Sequence, residues 1–225
     1  MGLILNRRRE MGCENYLVYH WSGEDALSGS SWIDRVSGKI WSVDGNTPTK
    51  GTNYYEVGSI PNAFFTMNMN SQGLNLGVYY EIAITFEVLT VGSDGYGNCI
   101  LDLGSLMNSP KAFGISFSND TRTLSDNWKG LGNNSIQYGV GSAGTVPLNQ
   151  KVTIIYGCKK YSDTQDVQYF INGGVTYQSA QPHSPSADFN GTDWNNSTGL
   201  IGDGVIRAGK CGKIRVYDIK MYCYD

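Results

Sequence analysis

Two glutamates in one alternating segment are the strongest candidates for acid and base chemistry. Glu81 and Glu87 lie in YYEIAITFEVL, where every second residue is apolar and the residues in between share the opposite face of a strand. Retaining hydrolysis of a glycosidic bond needs two carboxyl groups about 5–5.5 Å apart. Six residues of strand separate these two glutamates by about 20 Å. We therefore expect two charged residues on a solvated face, and we predict that the chain is not an enzyme.

The two histidines, His20 and His183, lack the sequence context of a catalytic residue. Neither lies beside a GxSxG elbow, an HExxH pair or a phosphate-binding glycine loop. His183 belongs to QPHSPS, whose composition is typical of a loop, and no partner acid is fixed beside it in the sequence. We interpret His183 as a surface histidine and predict no catalysis there.

Two segments offer the hard oxygen ligands that calcium prefers. The residues are Asp188, Asn190, Asp193 and Asn195 in DFNGTDWNN, and Asp94 and Asn98 in GSDGYGN. Neither segment fits an EF-hand loop, since position twelve counted from Asp188 is Gly199. Asp and Asn are also favoured in turns. We interpret both segments as turns, with calcium bound through Asp188, Asn190 and Asp193 as the alternative.

Two tryptophans stand among amides and carboxylates, a pattern suited to sugar binding. Trp194 is flanked by Asp193 and Asn195 in TDWNN, and Trp128 lies in SDNWKG. An indole stacks on a sugar ring while polar groups at its rim bond the hydroxyls. If the chain binds a glycan, we expect the loops of Trp128 and of Asp193, Trp194 and Asn195 to hold it. Simple anchoring of these loops by the tryptophans is the alternative.

Charge and cysteine content argue against several classes of function. The net charge is −3, and apart from Arg7, Arg8 and Arg9 no basic run is interleaved with aromatic residues, so we predict no nucleic-acid partner. No apolar run reaches the roughly 18 residues of a membrane span. Five widely spaced cysteines without a CxxC pair are interpreted as free thiols. The opening lacks the order of a signal peptide, which predicts synthesis in the cytoplasm.

Many short strands and tight turns must position these residues. Glycine accounts for 29 of the 225 residues, and aromatic and β-branched runs are broken by Gly, Asn and Ser. Around a dozen such runs occur, with turn signals every 8–12 residues or so. Asn172-Gly173 predicts a hairpin, and lost alternation near Asp218 predicts a bulge. The pattern predicts one all-β domain with very little helix, an antiparallel two-sheet sandwich or jelly roll.

Three ordered motifs resemble the laminin-G-like domains of the concanavalin-A-like lectin and glucanase superfamily. SWIDRVSGKIWSV is similar to the opening segment of that family. KVTIIYG and YFINGG resemble its paired strands that end in a Tyr-x-Asn-Gly hairpin. GLIGDG and CGKIRVYDIKM resemble its closing pair of strands. The resemblance implies two stacked antiparallel sheets with the chain ends close together.

The same resemblance bears on domain limits and on activity. It implies a laminin-G-like sandwich over residues 14–225, preceded by an extended arm over residues 1–13. Glucanases of the superfamily carry Glu-x-Asp-x-x-Glu on the active strand, and the segment from Glu81 to Glu87 lacks it. Trp32 and Trp41 bracket a turn at Ser37-Gly38, and we expect both indoles in the core.

The opening MGLILNRRREMG resembles short leaders of virion-associated proteins of bacteriophages and prophages. Its apolar residues stand beside three guanidinium groups, which suits an extended segment that fills a groove while arginine binds carboxylates at the rim. We predict that this arm docks on a partner subunit of a viral particle or on a second copy of the chain, with a solvated basic tail as the alternative. The residues concerned are Leu3, Ile4, Leu5, Arg7, Arg8 and Arg9.

Several functions are compatible with these observations. We predict a non-catalytic module of a phage particle, on the capsid, a head fibre or the tail, that binds a host surface glycan or partner proteins. A structural decoration protein that binds only its neighbours is a second interpretation. A bacterial carbohydrate-binding protein or a divergent glucanase of the same fold is the third.

Overall fold

The computed structural model describes residues 15–58, 63–76, 79–92, 98–103, 112–118, 120–129, 140–160, 165–182, 198–201 and 212–224. These ranges hold fifteen strands and one short helix, α1 (Met69–Gln72). The strands are β1 (Asn15–Ser22), β2 (Ser31–Ile33), β3 (Ile40–Gly45), β4 (Thr49–Lys50), β5 (Tyr55–Gly58), β6 (Ala63–Asn68), β7 (Tyr80–Thr90), β8 (Asn98–Leu103), β9 (Ala112–Phe117), β10 (Leu124–Lys129), β11 (Lys151–Lys160), β12 (Gln165–Asn172), β13 (Val175–Pro182), β14 (Thr198–Ile201) and β15 (Lys213–Tyr224). The predicted all-β fold is confirmed.

Two layers of antiparallel strands pack face to face. The strand order is β10-β9-β8-β14-β6-β5-β15-β7-β11-β12-β13, with β1 beside β15, β4 beside β5, β3 beside β6 and β2 beside β3. Among the described residues a single pair, Gly58 with Ala63, joins β5 to β6, and the two layers meet there. The layers face each other across the core, since Tyr156 of β11 donates a hydrogen bond of 3.1 Å to Asp126 of β10. The predicted antiparallel sandwich is therefore confirmed.

The core forms because alternate residues of the long strands are apolar. On β7, Ile82, Ile84 and Phe86 are fully buried between the layers. Trp32 and Trp41 are cross-strand partners on β2 and β3, and both are completely buried, as predicted. Burial of side chains of this size brings about 2–3 kcal/mol each. The two tryptophans therefore serve packing.

A buried carboxylate holds the turn between these two tryptophans. Asp34 is only 3% exposed, and it accepts hydrogen bonds from the backbone N–H groups of His20 and Ser37. The Ser37 hydroxyl donates a third bond of 2.6 Å. A buried charge is costly unless it is bonded in this way. The motif SWIDRVSGKIWSV thus has a structural role through its Trp, Asp, Ser and Gly residues.

The β12–β13 hairpin turns one residue later than predicted. Asn172 is the last residue of β12 and pairs with Val175, so the two-residue loop is Gly173-Gly174 rather than Asn172-Gly173. Both glycines have positive φ, 58° and 81°, as a type I′ turn requires. The Asn172 side chain instead donates to the carbonyl of Ala143 at 2.9 Å.

The first and last strands lie side by side. Asn15 of β1 pairs with Tyr224 of β15, which confirms the expected closeness of the two ends for the described part of the chain. The predicted arm, residues 1–13, lies outside the described residues. Within the described ranges no helix is long and apolar enough to cross a membrane.

Candidate functional site

A β-bulge in β15 places two consecutive polar residues on the outer face of the sandwich. Val216 and Ile219 are buried in the core, and the register against β7 shifts between Val216 and Asp218. Tyr217 and Asp218 therefore both reach the face away from the core, where each bonds a polar side chain. The bulge predicted near Asp218 is confirmed, and it enriches this face in polar groups.

Seven polar and aromatic side chains gather beside the bulge, where β5, β15, β7 and β11 are neighbours. We call them the Arg215 cluster: Tyr54, Glu56, Glu87, Lys151, Lys213, Arg215 and Tyr217. The sheet register brings them together, because Arg215 lies opposite Glu56 of β5 and opposite Glu87 of β7. Lys151 of β11 lies opposite Glu87 on its other side.

Arg215 links the two carboxylates of the cluster. Its Nε lies 3.3 Å from Glu56 and its Nη1 lies 3.2 Å from Glu87. Lys213 forms a second ion pair with Glu56 at 2.9 Å. Tyr217 donates its hydroxyl hydrogen to Glu87 at 2.8 Å. Each carboxylate thus has two partners before any ligand binds.

Two tyrosine rings flank this ionic network. The rings of Tyr54 and Tyr217 are 5.4 Å apart and are both half-buried. The Arg215 guanidinium carbon lies 4.7 Å from the centre of the Tyr54 ring. The Lys151 ammonium lies 4.3 Å from the centre of the Tyr217 ring. Both distances are typical of cation–π contacts.

The ionisation of the cluster follows from these contacts. Burial by itself would raise the pKa of Glu56, but the hydrogen bonds and charges of Lys213 and Arg215 hold it below its usual value. Burial and the hydrogen bond to Glu87 raise the pKa of Tyr217, so the phenol keeps its proton as a donor. Glu56 is therefore poorly suited to act as a general acid.

The other glutamate of β7, Glu81, has a similar arrangement at the far end of the same face. Tyr169 of β12 donates to Glu81 at 2.5 Å, and Lys159 of β11 lies 5.3 Å from the centre of the Tyr169 ring. Gly157 makes room for this ring, since a Cβ there would lie 2.7 Å from Tyr169. Burial and the charge of Glu81 raise the pKa of Tyr169 far above its usual value.

The prediction that Glu81 and Glu87 lie on a solvated face is wrong. Glu81 is 6% exposed and Glu87 is 9% exposed. The reason is that long side chains from other strands of the same layer lie over β7. Tyr169 of β12 covers Glu81, while Tyr217 and Arg215 of β15 cover Glu87. Alternation placed both residues on the correct face, but it contained no information about what covers that face.

Hydroxyl groups occupy the middle of the face, between the two glutamates. Thr85 of β7 and Thr153 of β11 are cross-strand partners, and their hydroxyl oxygens are 2.9 Å apart. Next to Thr85, Asp218 pairs with His20 at 2.7 Å and with Lys220 at 2.6 Å. The His20–Asp218 pair is not predictable from local sequence, because these residues meet only through the pairing of β1 with β15.

Asp126 is a further carboxylate, and it lies in the core rather than on a surface. It is fully buried and accepts hydrogen bonds from the Val140 backbone at 2.6 Å and from Tyr156. Tyr156 and Tyr80 are also fully buried, and burial raises the pKa of both phenols well above the usual value. This group ties the two layers together.

The structure places only one of the predicted ligand-binding residues. Trp128 lies on β10 opposite Phe113 of β9, not on a loop as predicted. Pairing with β9 extends the strand through Ser125, Asp126 and Asn127, polar residues whose local composition indicates a loop. Asp193, Trp194 and Asn195 lie outside the described residues, so their role stays a prediction.

The predicted metal ligands and the docking arm also lie outside the described part. The calcium alternative rested on Asp188, Asn190 and Asp193, none of which is described. Among the residues that are described, no three His, Cys, Asp or Glu side chains cluster as a metal site. The arm residues are Leu3, Ile4, Leu5, Arg7, Arg8 and Arg9, and they too stay a prediction. Cys158 and Cys223 are free thiols.

The fold is similar to that of several solved structures at low sequence identity. Trypanosoma rangeli sialidase, in complex with 2,3-difluorosialic acid, has a TM-score of 0.56 and 16% identity over 92% of this chain and 30% of that one. Botulinum neurotoxin type C, whose cell entry is described as dependent upon interaction with two ganglioside molecules, has a TM-score of 0.55 and 12% identity over 92% of this chain and 47% of that one. This chain thus spans less than half of either protein.

Other neighbours match over nearly their whole length, and a bacteriophage protein is an example. The carbohydrate esterase from the Shiga toxin-encoding bacteriophage phi24B has a TM-score of 0.53 and 12% identity, over 93% of this chain and 99% of that one. No family model matches the chain, and no curated protein matches its sequence. The comparisons with solved structures therefore show a shared β-sandwich fold.

Proposed function

We propose that this chain is a non-catalytic glycan-binding module and that the Arg215 cluster, with the neighbouring hydroxyl pair of Thr85 and Thr153, is its binding face. One observation carries the proposal: half-buried tyrosine rings, fixed ionic groups and paired hydroxyls lie together on the outer face of the sheet. Aromatic rings provide stacking surfaces, and the polar groups provide the directional bonds that sugar hydroxyls need.

The fold neighbours support a sugar ligand. The sialidase is bound to a sialic acid derivative, the neurotoxin is described as interacting with gangliosides, and the phage protein is a carbohydrate esterase. Each of these descriptions names a carbohydrate ligand or activity, and each protein contains a sandwich similar to that of this chain. Fold does not decide function by itself, so the proposal rests on the residues of the face.

The state of the carboxylates supports binding rather than hydrolysis. Glu81 and Glu87 are separated by about 20 Å of strand, far beyond the spacing of a hydrolytic pair. Glu56 is held by Lys213 and Arg215, and its lowered pKa disfavours the protonated form that a general acid requires.

A glycan array with matched tyrosine variants tests the proposal. We expect wild-type protein to bind at least one glycan class without releasing reducing ends. The variant Tyr54→Leu should lose affinity about tenfold, because it removes the ring face, while Tyr54→Phe should keep it. Absence of binding to every glycan, at the highest soluble protein concentration, would overturn the proposed function. Loss of binding in a Trp128→Ala/Trp194→Ala double mutant, with Tyr54→Leu unaffected, would move the site to the sequence-predicted residues.

We also propose that the module is laminin-G-like and works in a phage particle, with residues 1–13 as its docking arm. The near full-length correspondence with the phage esterase supports this setting, as does the resemblance of MGLILNRRREMG to virion leaders. Mass spectrometry of purified particles should detect the chain. Deletion of residues 1–12, or an Arg7/Arg8/Arg9→Ser variant, should lower its incorporation. Unchanged incorporation in both variants would contradict the role of the arm.

A further inference from the structure

We infer that the ligand of the Arg215 cluster carries a carboxylate, so that the module binds an acidic glycan of the uronic acid class. This inference rests on the proposed function, because it names the ligand class of the same face. It follows from which charges of the cluster are already paired and which are not.

Two groups of hydrogen-bond donors in the cluster have no carboxylate partner in the described part of the chain. Arg215 uses Nε for Glu56 and Nη1 for Glu87, which leaves Nη2. Lys151 lies over the Tyr217 ring and forms no ion pair there, although Glu87 is its cross-strand neighbour. Lys151 is exposed, and Arg215 is 30% exposed, so both donors are accessible to a ligand.

The charges of the cluster favour an anion. Lys151, Lys213 and Arg215 are three cations, and Glu56 and Glu87 are two anions, so the cluster carries one positive charge in excess. Both glutamates are already matched by cations or by the Tyr217 hydroxyl, which limits their repulsion of an incoming carboxylate. One ligand carboxylate would balance the cluster.

The surroundings of these donors suit a sugar that bears the carboxylate. Tyr54 and Tyr217 lie beside Arg215 and Lys151, so a ligand anion at the cations places its ring near the aromatic surface. The Thr85 and Thr153 hydroxyls lie on the same face, two residues farther along β7 and β11 than Glu87 and Lys151. The whole chain carries a net charge of −3, so general electrostatic attraction of polyanions is not expected.

Binding of matched polymers tests the inference. The probes are a polyuronate, the same polymer after reduction of its carboxyl groups to alcohols, and dextran sulfate. We expect wild-type protein to bind the polyuronate about tenfold more tightly than the reduced polymer, the effect of one charge-assisted hydrogen bond. Lys151→Met should lose that preference, whereas Lys39→Met, a matched change on the β2–β3 hairpin, should keep it.

The outcomes separate the ligand class from the proposed function. Equal affinity for the polyuronate and its reduced form, or an unchanged preference in Lys151→Met, would overturn the carboxylate assignment while leaving glycan binding intact. Tighter binding of dextran sulfate than of the polyuronate would assign the site to sulfate and would also overturn the carboxylate assignment. Binding of none of the three polymers, together with an empty glycan array, would overturn both proposals. Melting curves of both lysine variants establish that each is folded.

Discussion

Tyr217 donates a hydrogen bond of 2.8 Å to Glu87, across the boundary between β15 and β7. This contact exists because the bulge in β15 turns Tyr217 to the outer face, while the register places Glu87 opposite Arg215. The carboxylate is thereby held by a phenol and by a guanidinium at 3.2 Å. A glutamate whose sequence pattern predicts a solvated charge is therefore part of a fixed network.

The same arrangement occurs twice along β7. At one end Glu87 accepts from Tyr217, whose ring lies under Lys151. At the other end Glu81 accepts from Tyr169, whose ring lies under Lys159. Both lysines belong to β11, and both glutamates belong to β7. The two ends differ in burial, since Tyr169 is 5% exposed whereas Tyr217 is only half-buried.

Removal of the two phenolic hydroxyls should destabilise the chain to different degrees. We expect Tyr169→Phe to lower the free energy of unfolding by about 2 kcal/mol, and Tyr217→Phe by about 1 kcal/mol, because the Glu81 contact is more deeply buried. Tyr54→Phe is the matched control and should change it by less than about 0.5 kcal/mol. Urea denaturation measures all three. An equal loss in the three variants would contradict the role of the tyrosine–glutamate bonds.

Gly157 is predicted to tolerate no side chain. A Cβ at this position would lie 2.7 Å from the Tyr169 ring and 2.8 Å from the Tyr80 carbonyl oxygen. Gly157→Ala should therefore lower the free energy of unfolding by about 1–3 kcal/mol. Gly141→Ala is the control, since a Cβ there meets nothing within 4 Å. Thermal melts compare the two, and a Gly157→Ala melt like that of the control would be evidence against the packing described.

Asp34 is predicted to be essential for the tryptophan hairpin. Asp34→Ala removes the acceptor for His20 and Ser37. We expect it to lower the free energy of unfolding by about 2–4 kcal/mol and to alter the tryptophan fluorescence. Asp34→Asn keeps one acceptor oxygen and should lose less. Arg35→Ala removes an exposed ion pair with Asp25 and should cost less than about 1 kcal/mol. A larger loss for Arg35→Ala than for Asp34→Ala would refute this ranking.

The stability that Glu56 contributes should depend on pH. Its pKa in the folded chain lies below its ordinary value of 4.5, because Lys213 and Arg215 stabilise the charged form. The folded state then releases this proton more readily than the unfolded state, so the contribution is fully present above about pH 4.5. It is lost as the pH falls through the lower folded pKa. The difference in unfolding free energy between wild type and Glu56→Gln should therefore shrink from pH 7 to pH 3, and a constant difference would contradict the ion-pair assignment.

Local sequence patterns predicted the long strands but not the partners of the site. Alternation over β7 and the apolar run of β8 determine those strands, because β7 buries one complete face and residues 100–103 of β8 are buried on both faces. The short β4 and β5 were not predicted, since pairing with distant β15 decides β5. Separation in sequence also explains why the site was not predicted. Arg215 and Glu87 are 128 residues apart in sequence, and they meet only through the register of β15 against β7.

Glu81 and Glu87 show most clearly what a local sequence pattern does and does not predict. Period-two alternation correctly places Glu81 and Glu87 together on the outer face. It does not indicate burial, because Tyr169 and Tyr217 come from strands that the local pattern does not connect to β7. The bulge near Asp218 was predicted from lost alternation, yet its consequence for Tyr217 depends on the neighbouring strand.

The central claim is that the outer face beside the Arg215 cluster binds a glycan. Its most direct test is to block this face and to compare the glycan affinity with that of a variant changed in the opposite layer. Thr153 and Ser42 are both exposed hydroxyl residues in strands, the first on β11 beside the Arg215 cluster and the second on β3. Thr153→Glu breaks the hydroxyl pair with Thr85 and places a competing carboxylate next to Lys151, while Ser42→Glu adds the same charge to the other layer. Glycan affinity, measured by titration calorimetry on the best glycan of the array, should fall at least about tenfold in Thr153→Glu and stay unchanged in Ser42→Glu. Retained affinity in Thr153→Glu with loss in Ser42→Glu would contradict the account.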